Sequence, residues 1–293
     1  MEKLHTQGYG LTSVCDFVGI SRQAYYKRLA KQISKGLLYQ SLEQIVLQNR
    51  QEKSRVGLRA IYHKEQLSPL LGINQFEQEM SARGLALRPF KSFIKTTDSR
   101  GHHYKFDNLI SGIDIISENQ VIVGDITYYQ NADELYYIFQ FRDHYTLEVK
   151  GLIGSINMEG INADKCLLQV FAYNKQRKYN YGLIIHTDAG SQYRSHKFQR
   201  MLLEAQIRPS HAKNCLENGL SERTNGIIKN EYLVDYEIKN VNHLNRVLSK
   251  IKYQINDVWP SIALGYKTPK QYALLTRGMN INERPVKTVK QVK

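Results

Sequence analysis

Three acidic residues stand where local pattern alone does not place them. Asp125 interrupts the apolar run VIVGDITYY (121–129), Asp188 ends the apolar run LIIHTD (183–188), and Glu222 lies inside a helical segment. Carboxylates are disfavoured in strand interiors and are rarely buried without a partner. Each alone reads as ordinary: a backbone hydrogen bond, a turn cap, a surface helix residue. Together, at strand ends and on a helix, they suit a hard divalent cation, Mg²⁺ or Mn²⁺, held by oxygen ligands. Two such ions about 3.5–4 Å apart can hold both the attacking and the leaving oxygen of an in-line phosphoryl displacement.

The charge distribution points to the same substrate class. The 293 residues carry 41 Lys+Arg against 27 Asp+Glu, a net of +14. Residues 1–100 hold +8, residues 101–240 hold −2 and residues 241–293 hold +8. Basic ends around a neutral centre fit a chain whose arms hold a polyanion, most often nucleic acid, while its middle does chemistry with carboxylates. No apolar run approaches a membrane span, and the N-terminus lacks the apolar core of a signal peptide. Cys15, Cys166 and Cys215 are far apart, which excludes a disulfide framework or a cysteine zinc module and suits a reducing cytosol.

The elements that must position these residues follow from periodicity. LTSVCDFVGISRQAYYKRLAKQ (11–32) has a helix, turn, helix rhythm: Gly19 breaks the first helix and Ser21 caps the second. The second helix offers Arg22, Gln23, Lys27 and Arg28, the polar display of a helix that enters a DNA groove. Helices are expected over 38–48, 57–67 and 72–84, the last with Ile73, Phe76 and Met80 on one face. From 120 the period becomes that of strands: 121–129, 135–145 and 147–155, a helix over 161–176, a strand over 183–188, a helix over 195–205, a strand over 207–212, then helices over 217–233 and 241–258. This order describes an α/β layer fold. The expected division is a helix-turn-helix-like segment 1–37, a helical DNA-binding region 38–90, a basic linker 91–115, a catalytic core 116–240 and a basic C-terminal extension 241–293.

At this point the residues resemble a family. The chain is similar, from about residue 11 to about 275, to the DDE transposases of bacterial insertion sequences whose second reading frame encodes a retroviral-integrase-like core. GDITYY (124–129) resembles the family's W-x-x-D-I-T-Y, with Ile122 at the Trp position. HTDAGSQYRS (186–195) resembles H-S-D-x-G-S-Q-Y-x-S. NCLENGLSE (214–222) resembles N-C-x-D-N-x-x-x-E with Glu217 for Asp, and Glu222 is followed by Asn225 and Lys229 at the family's spacing. SRVGLRAIY (54–62), which holds Arg55 and Arg59, and LGYKTPKQY (264–272) match flanking motifs. Two departures stand out. Asp188 and Glu222 are separated by 33 residues, two fewer than usual, with the shortfall between Lys213 and Asn214, and INDVWPS (255–261) puts Trp259 and Ser261 where the family has Arg and His.

The resemblance implies a ribonuclease-H-like core, a mixed five-stranded sheet flanked by helices, preceded by a small helix-turn-helix region. It implies two Mg²⁺ or Mn²⁺ ions, one on Asp125 and Asp188 and one on Asp125 and Glu222, and DNA nicking followed by strand transfer without a covalent intermediate. Gln192, Tyr193, Asn225 and Lys229 are then expected at DNA, as are Arg55 and Arg59. The implied partners are the element's ends and target DNA, a second copy on paired ends, and a first-frame protein or fusion, in the bacterial cytoplasm at the nucleoid. Other readings stay open: a DNA-binding regulator or decayed copy without catalysis, and a junction or ribonuclease-H-type nuclease without strand transfer. Among competing acids, Asp143 reads as a turn residue, Glu231 lies on another helical face, and Glu217 reads as a helix N-terminal acid. His186 suits either the site or the core.

Overall fold

The computed structural model describes residues 10–88, 106–131, 134–175, 182–212 and 219–289. The first helix, α1 (Leu11–Val18), stops at Gly19, whose φ of +71° lies in the left-handed region that glycine enters without steric cost. The next helix starts where the Ser21 hydroxyl accepts the Ala24 amide at 3.1 Å. This helix, α2 (Arg22–Glu52), is 31 residues long. It therefore runs through the boundary expected at 37/38, and the two N-terminal segments share one continuous helix. Gly36 weakens its middle by about 1 kcal/mol, which the burial of Tyr39, Leu42 and Val46 just beyond offsets. Two short helices, α3 (Leu58–Lys64) and α4 (Ile73–Ala82), pack back on its second half.

The sheet contains β2 (Val121–Asn131), β3 (Glu134–Asp143), β4 (Val149–Ser155), β5 (Ile184–Thr187) and β6 (Arg208–His211). The strand order is β4-β3-β2-β5-β6; β2, β3 and β4 are antiparallel, while β5 runs parallel to both β2 and β6. This is the mixed five-stranded sheet that the resemblance implied. The crossover from β4 to β5 carries α5 (Gly160–Lys175), and that from β5 to β6 carries α6 (Ser191–Arg194) and α7 (His196–Glu204). Beyond the sheet, α8 (Gly219–Ile227) widens into a π-helical turn (Ile228–Tyr232), α9 (Val241–Tyr253) does the same over Gln254–Val258, and α10 (Pro269–Arg277) begins with a Thr268/Gln271 capping box. A separate two-strand ribbon pairs β1 (Asp114–Ile115) with β7 (Lys287–Thr288). The end of the expected linker is thus tied to the C-terminal extension; residues 91–105 lie outside the described residues.

Two features of the packing bear on the site. First, β4 is an edge strand, and side-chain amides occupy its free backbone groups. Asn256 bonds both backbone groups of Val149 (2.8 and 2.9 Å), Asn245 both of Gly154 (2.9 and 2.8 Å) and Gln169 both of Leu152 (3.1 and 3.4 Å). That blunts the edge against further strand pairing. Second, the N-terminal helices have no core of their own. Leu42, Val46, Ile61, Phe76 and Met80 join one apolar cluster with Ile138, Val149, Leu244, Ile251 and Trp259. Lys53 and Lys64 lie over the Trp259 ring, 5.9 and 4.7 Å from its centroid, and Lys53 also pairs with Glu231 at 2.7 Å. Trp259, a departure from the family pattern, is 5% exposed and acts as the filling of this joint.

Candidate active site

Asp125 and Asp188 come off neighbouring parallel strands. Val123 on β2 pairs with His186 on β5 as the last pair of that ladder, and Asp125 and Asp188 each follow two residues further along their own chains, close enough for the Asp188 charge to act on Asp125. Glu222 sits in the first turn of α8, which crosses β2. One turn later, the buried Asn225 Nδ2 donates to Asp125 Oδ2 at 2.7 Å. Asp188 is held by a local loop: its Oδ1 accepts the Gly190 amide at 3.1 Å.

The electrostatics agree with the placement. The Asp125 carboxyl is pushed up from 3.8 to about 7, first by burial and then by the negative charge of Asp188, with Glu222 adding to it. The Ile126 backbone and Asn225 oppose the rise. Three carboxylates that repel one another around a half-buried aspartate form a set a divalent cation would relieve. Two polar groups beside Asp125 lack protein partners: Asn225 Oδ1, and both amide atoms of the fully buried Gln140, which faces Asp125 across the β2–β3 ladder. Among the described residues no group of three or more His, Cys, Asp or Glu side chains is drawn together closely enough to hold a metal ion. The carboxylate oxygens themselves are the donor type a hard cation takes.

Comparison with known proteins decides the family. Two integrase core domain families match, one over residues 117–214 and one over 203–269, together just over half of the chain. The transposase of insertion sequence IS904 from Lactococcus lactis is 24% identical over 246 residues, covering 83% of this chain and 95% of that protein. A 31 kDa protein of insertion element IS600 from Shigella sonnei is 26% identical over 240 residues, covering 78% and 85%. The chain belongs to the integrase-core transposases of insertion sequences. Among solved structures, the catalytic core of HTLV-2 integrase with magnesium is similar at a TM-score of 0.43 and 24% identity, covering 54% of this chain and 97% of that one. An intasome chain of simian T-cell lymphotropic virus reaches 0.48 at 20% identity, covering 79% and 74%.

The transposase places its other expected site residues unevenly. Arg22, Gln23, Lys27 and Arg28 are exposed on the first turns of α2. Arg59 is exposed but paired with Glu77 at 2.8 Å, and Arg55 donates to the Arg88 carbonyl at 2.7 Å. Gln192 is half-buried beside Gly190. Lys229 lies over the Tyr128 ring, 5.1 Å from its centroid. Two expectations need correcting. Tyr193 is 1% exposed and packs against Phe141 and Phe198, so it supports the Asp188 loop from beneath and does not reach DNA. Asn225 is buried with its amide nitrogen committed to Asp125, so it orients a carboxylate instead of touching phosphate.

The competing acids take structural roles. Asp143 accepts the Asn119, Tyr145 and Thr146 amides at 2.7, 3.0 and 2.7 Å and tightens the turn into β4. Glu231 pairs with Lys53. His186 is fully buried, with Nδ1 2.9 Å from the Ser210 hydroxyl, and belongs to the interior. Glu217 lies outside the described residues.

Three supporting residues escaped the sequence reading. Arg142 on β3 is buried; its Nη1 donates to Thr224 Oγ1 at 3.0 Å and its Nε to the Leu147 carbonyl at 2.7 Å, which ties α8 to the sheet between Glu222 and Asn225. Gly190 leaves room for the site: a Cβ there would stand 2.9 Å from both Asp188 Oδ1 and Gln192 Oε1. Gly124, just before Asp125, lets the Phe141 ring lie across β2, since a Cβ would come within 2.2 Å of it. The two glycines had a signal, being one and two residues from the acids. Arg142 had none, because its partner is 82 residues away.

Proposed function

We propose that Asp125, Asp188 and Glu222 are the catalytic carboxylates of a metal-dependent polynucleotidyl transfer on DNA. Strand cleavage and strand transfer are the reactions of the family to which the chain belongs. The observation that carries the residue assignment is the meeting of α8 with the β2–β5 strand ends, where Asn225 donates to Asp125 at 2.7 Å, and the raised Asp125 carboxyl agrees with it. Bound by these three side chains, two Mg²⁺ or Mn²⁺ ions supply Lewis acidity to the attacking and leaving oxygens of an in-line displacement.

The protein's own work is positioning. Asn225 fixes the rotation of the Asp125 carboxylate, and the Gly190 amide fixes that of Asp188. Arg142 holds α8, and with it Glu222, at a set height over β2. Lys229, steadied by Tyr128, offers a cation to the DNA backbone at the rim. Little covalent chemistry falls to side chains in such a reaction, so alignment and charge neutralisation account for the rate. The substrates are the element's ends and the target, the helix-turn-helix face of α1 and α2 grips DNA, and two or more copies act on paired ends, with or without a first-frame protein. Among the described residues no helix is long and apolar enough to cross a membrane.

The experiment is a Mn²⁺-dependent end-cleavage and strand-transfer assay on the inverted repeats flanking the coding region. Asp188→Asn and Glu222→Gln should each abolish both steps while DNA binding persists. Wild-type activity in either variant removes the three-carboxylate assignment. A purely DNA-binding regulator would show neither cleavage nor Mn²⁺ uptake that depends on these acids.

A further inference from the structure

A basic groove lies away from the carboxylates. It is a cavity of about 420 Å³ lined by Lys239, Asn240, His243, Arg246, Val247 and Lys250. His243, Arg246 and Lys250 fall at i, i+3 and i+7 along α9, so they share one helical face, and Lys239 lines the same cavity from just before the Asn240 cap, while Leu244, Leu248 and Ile251 bury the other face against β4 and the shared core. From Lys239 to Tyr253 there is no acidic residue. Lys239, Arg246 and Lys250 pair with no carboxylate among the described residues. Of the acids flanking this stretch in sequence, Asp235 accepts the Ser54 amide and Asp257 pairs with Lys270, while Glu237, two residues before Lys239, is exposed. Tyr236 sits under Lys250, 5.7 Å from its ring centroid, and the Lys239 amide donates to His243 Nδ1 at 3.2 Å, which leaves the His243 Nε2 proton free to donate outward.

We propose that this groove is a second DNA-backbone site, holding the duplex that flanks the reacting phosphate. The inference rests on DNA being the substrate and adds where the flank runs. Its position supports it. Asn131, at the end of β2, donates to the Ile238 carbonyl at 2.7 Å, directly ahead of Lys239. Asp125 and Asn131 are six residues apart on one strand, about 20 Å at the usual rise, and they point to the same face of the sheet. At 3.4 Å per base pair that is about six base pairs of B-DNA. His243 to Lys250 spans about 10 Å of α9, with Lys239 just ahead of its Asn240 cap, enough to face about three phosphates of one strand. A polyanion is the partner that matches a row of unneutralised cations of this length.

The test is fluorescence anisotropy of the full chain with a labelled 30-base-pair random-sequence duplex, over 50–200 mM NaCl. Arg246→Gln/Lys250→Gln should lower the slope of log K against log [NaCl] by about 1.8, at about 0.9 per lost phosphate contact. Lys165→Gln/Arg200→Gln, the same charge change on exposed positions of α5 and α7, should leave the slope near wild type. Arg246→Lys/Lys250→Arg should keep it. Equal losses in the groove and control variants mean a general charge effect and overturn the proposal, as does an unchanged slope in the groove variant. A wild-type chain that does not bind the duplex at 50 mM NaCl refutes the DNA reading itself, a result distinct from wild-type binding that the groove variant retains in full.

Discussion

Replacing Asp125 by Asn should stabilise the metal-free transposase at pH 8 and lose that advantage as the pH falls. The reason is the cost of ionising a carboxyl that burial and Asp188 hold near 7, against 3.8 when the chain is unfolded. Between those values the folded state binds the proton and the unfolded state does not, so stability falls as pH rises from about 4 to about 7. Each tenfold change in proton affinity is worth about 1.4 kcal/mol, so the full conflict costs about 4 kcal/mol above pH 7. Asn keeps an acceptor for the Asn225 amide and carries no charge, so it removes the conflict with little change in packing. For 293 residues, at about 2.1 cal/mol/K of unfolding entropy per residue, 4 kcal/mol is about 6 °C in Tm. Other groups titrate in the same range: burial lowers the His144 pKa, which works in the opposite direction. The quantity to measure is therefore the Tm of Asp125→Asn minus that of wild type, by calorimetry from pH 4.5 to 8.5 in chelator. It should rise from near zero to about +6 °C. Mn²⁺ at pH 8 should close the gap by stabilising wild type alone. A flat difference curve, or equal Mn²⁺ stabilisation of both proteins, would refute the claim that the carboxylates are in electrostatic conflict around a cation site.

Other expectations follow from the same contacts. Gly124→Val drives a side chain into the Phe141 ring and should cost about 1–3 kcal/mol, read as a lowered Tm; Phe141→Leu in the same chain should recover part of it. Arg142→Met leaves Thr224 and the Leu147 carbonyl without their donor, and should cut strand transfer at least tenfold while the salt dependence of duplex binding stays at wild type. Trp259→Ala should destabilise by about 3–5 kcal/mol in urea unfolding, because it empties the joint between Lys53, Lys64 and the helical core. Deleting residues 1–100 should give an unstable, aggregating core, since Leu42, Val46, Ile61 and Phe76 are removed from a cluster that Ile138 and Leu244 share; a folded fragment would show that the helical region is dispensable.

Much of the architecture was legible because it is local. The alternation of VIVGDITYY, the Gly19 stop, the Ser21 cap and the short run LIIHTD specify elements within a few residues of themselves, and the two aspartates announce themselves as polar residues in apolar strands. The three acids were separable from Asp143 and Glu231 by motif. Their convergence depended on the parallel pairing of β2 with β5 and on α8 crossing β2, contacts 60 to 100 residues apart that no local period encodes.

The same distinction explains the corrections. Tyr193 looked like a loop residue beside an acid, and only the packing of Phe141 and Phe198 shows that it faces inward. Asn225 matched a motif, but its role came from the 2.7 Å contact across the fold. The boundary at 37/38 failed because a weak centre around Gly36 is carried by helix packing further on. The sequence by itself determined the order of elements, the acids and the polarity of charge along the chain. Tertiary structure decided which groups face each other, that the N-terminal helices and the catalytic sheet share one core, and that a bare row of cations lines α9. Those are properties of side chains brought together from distant positions, where burial and mutual charge, and not local pattern, set the chemistry.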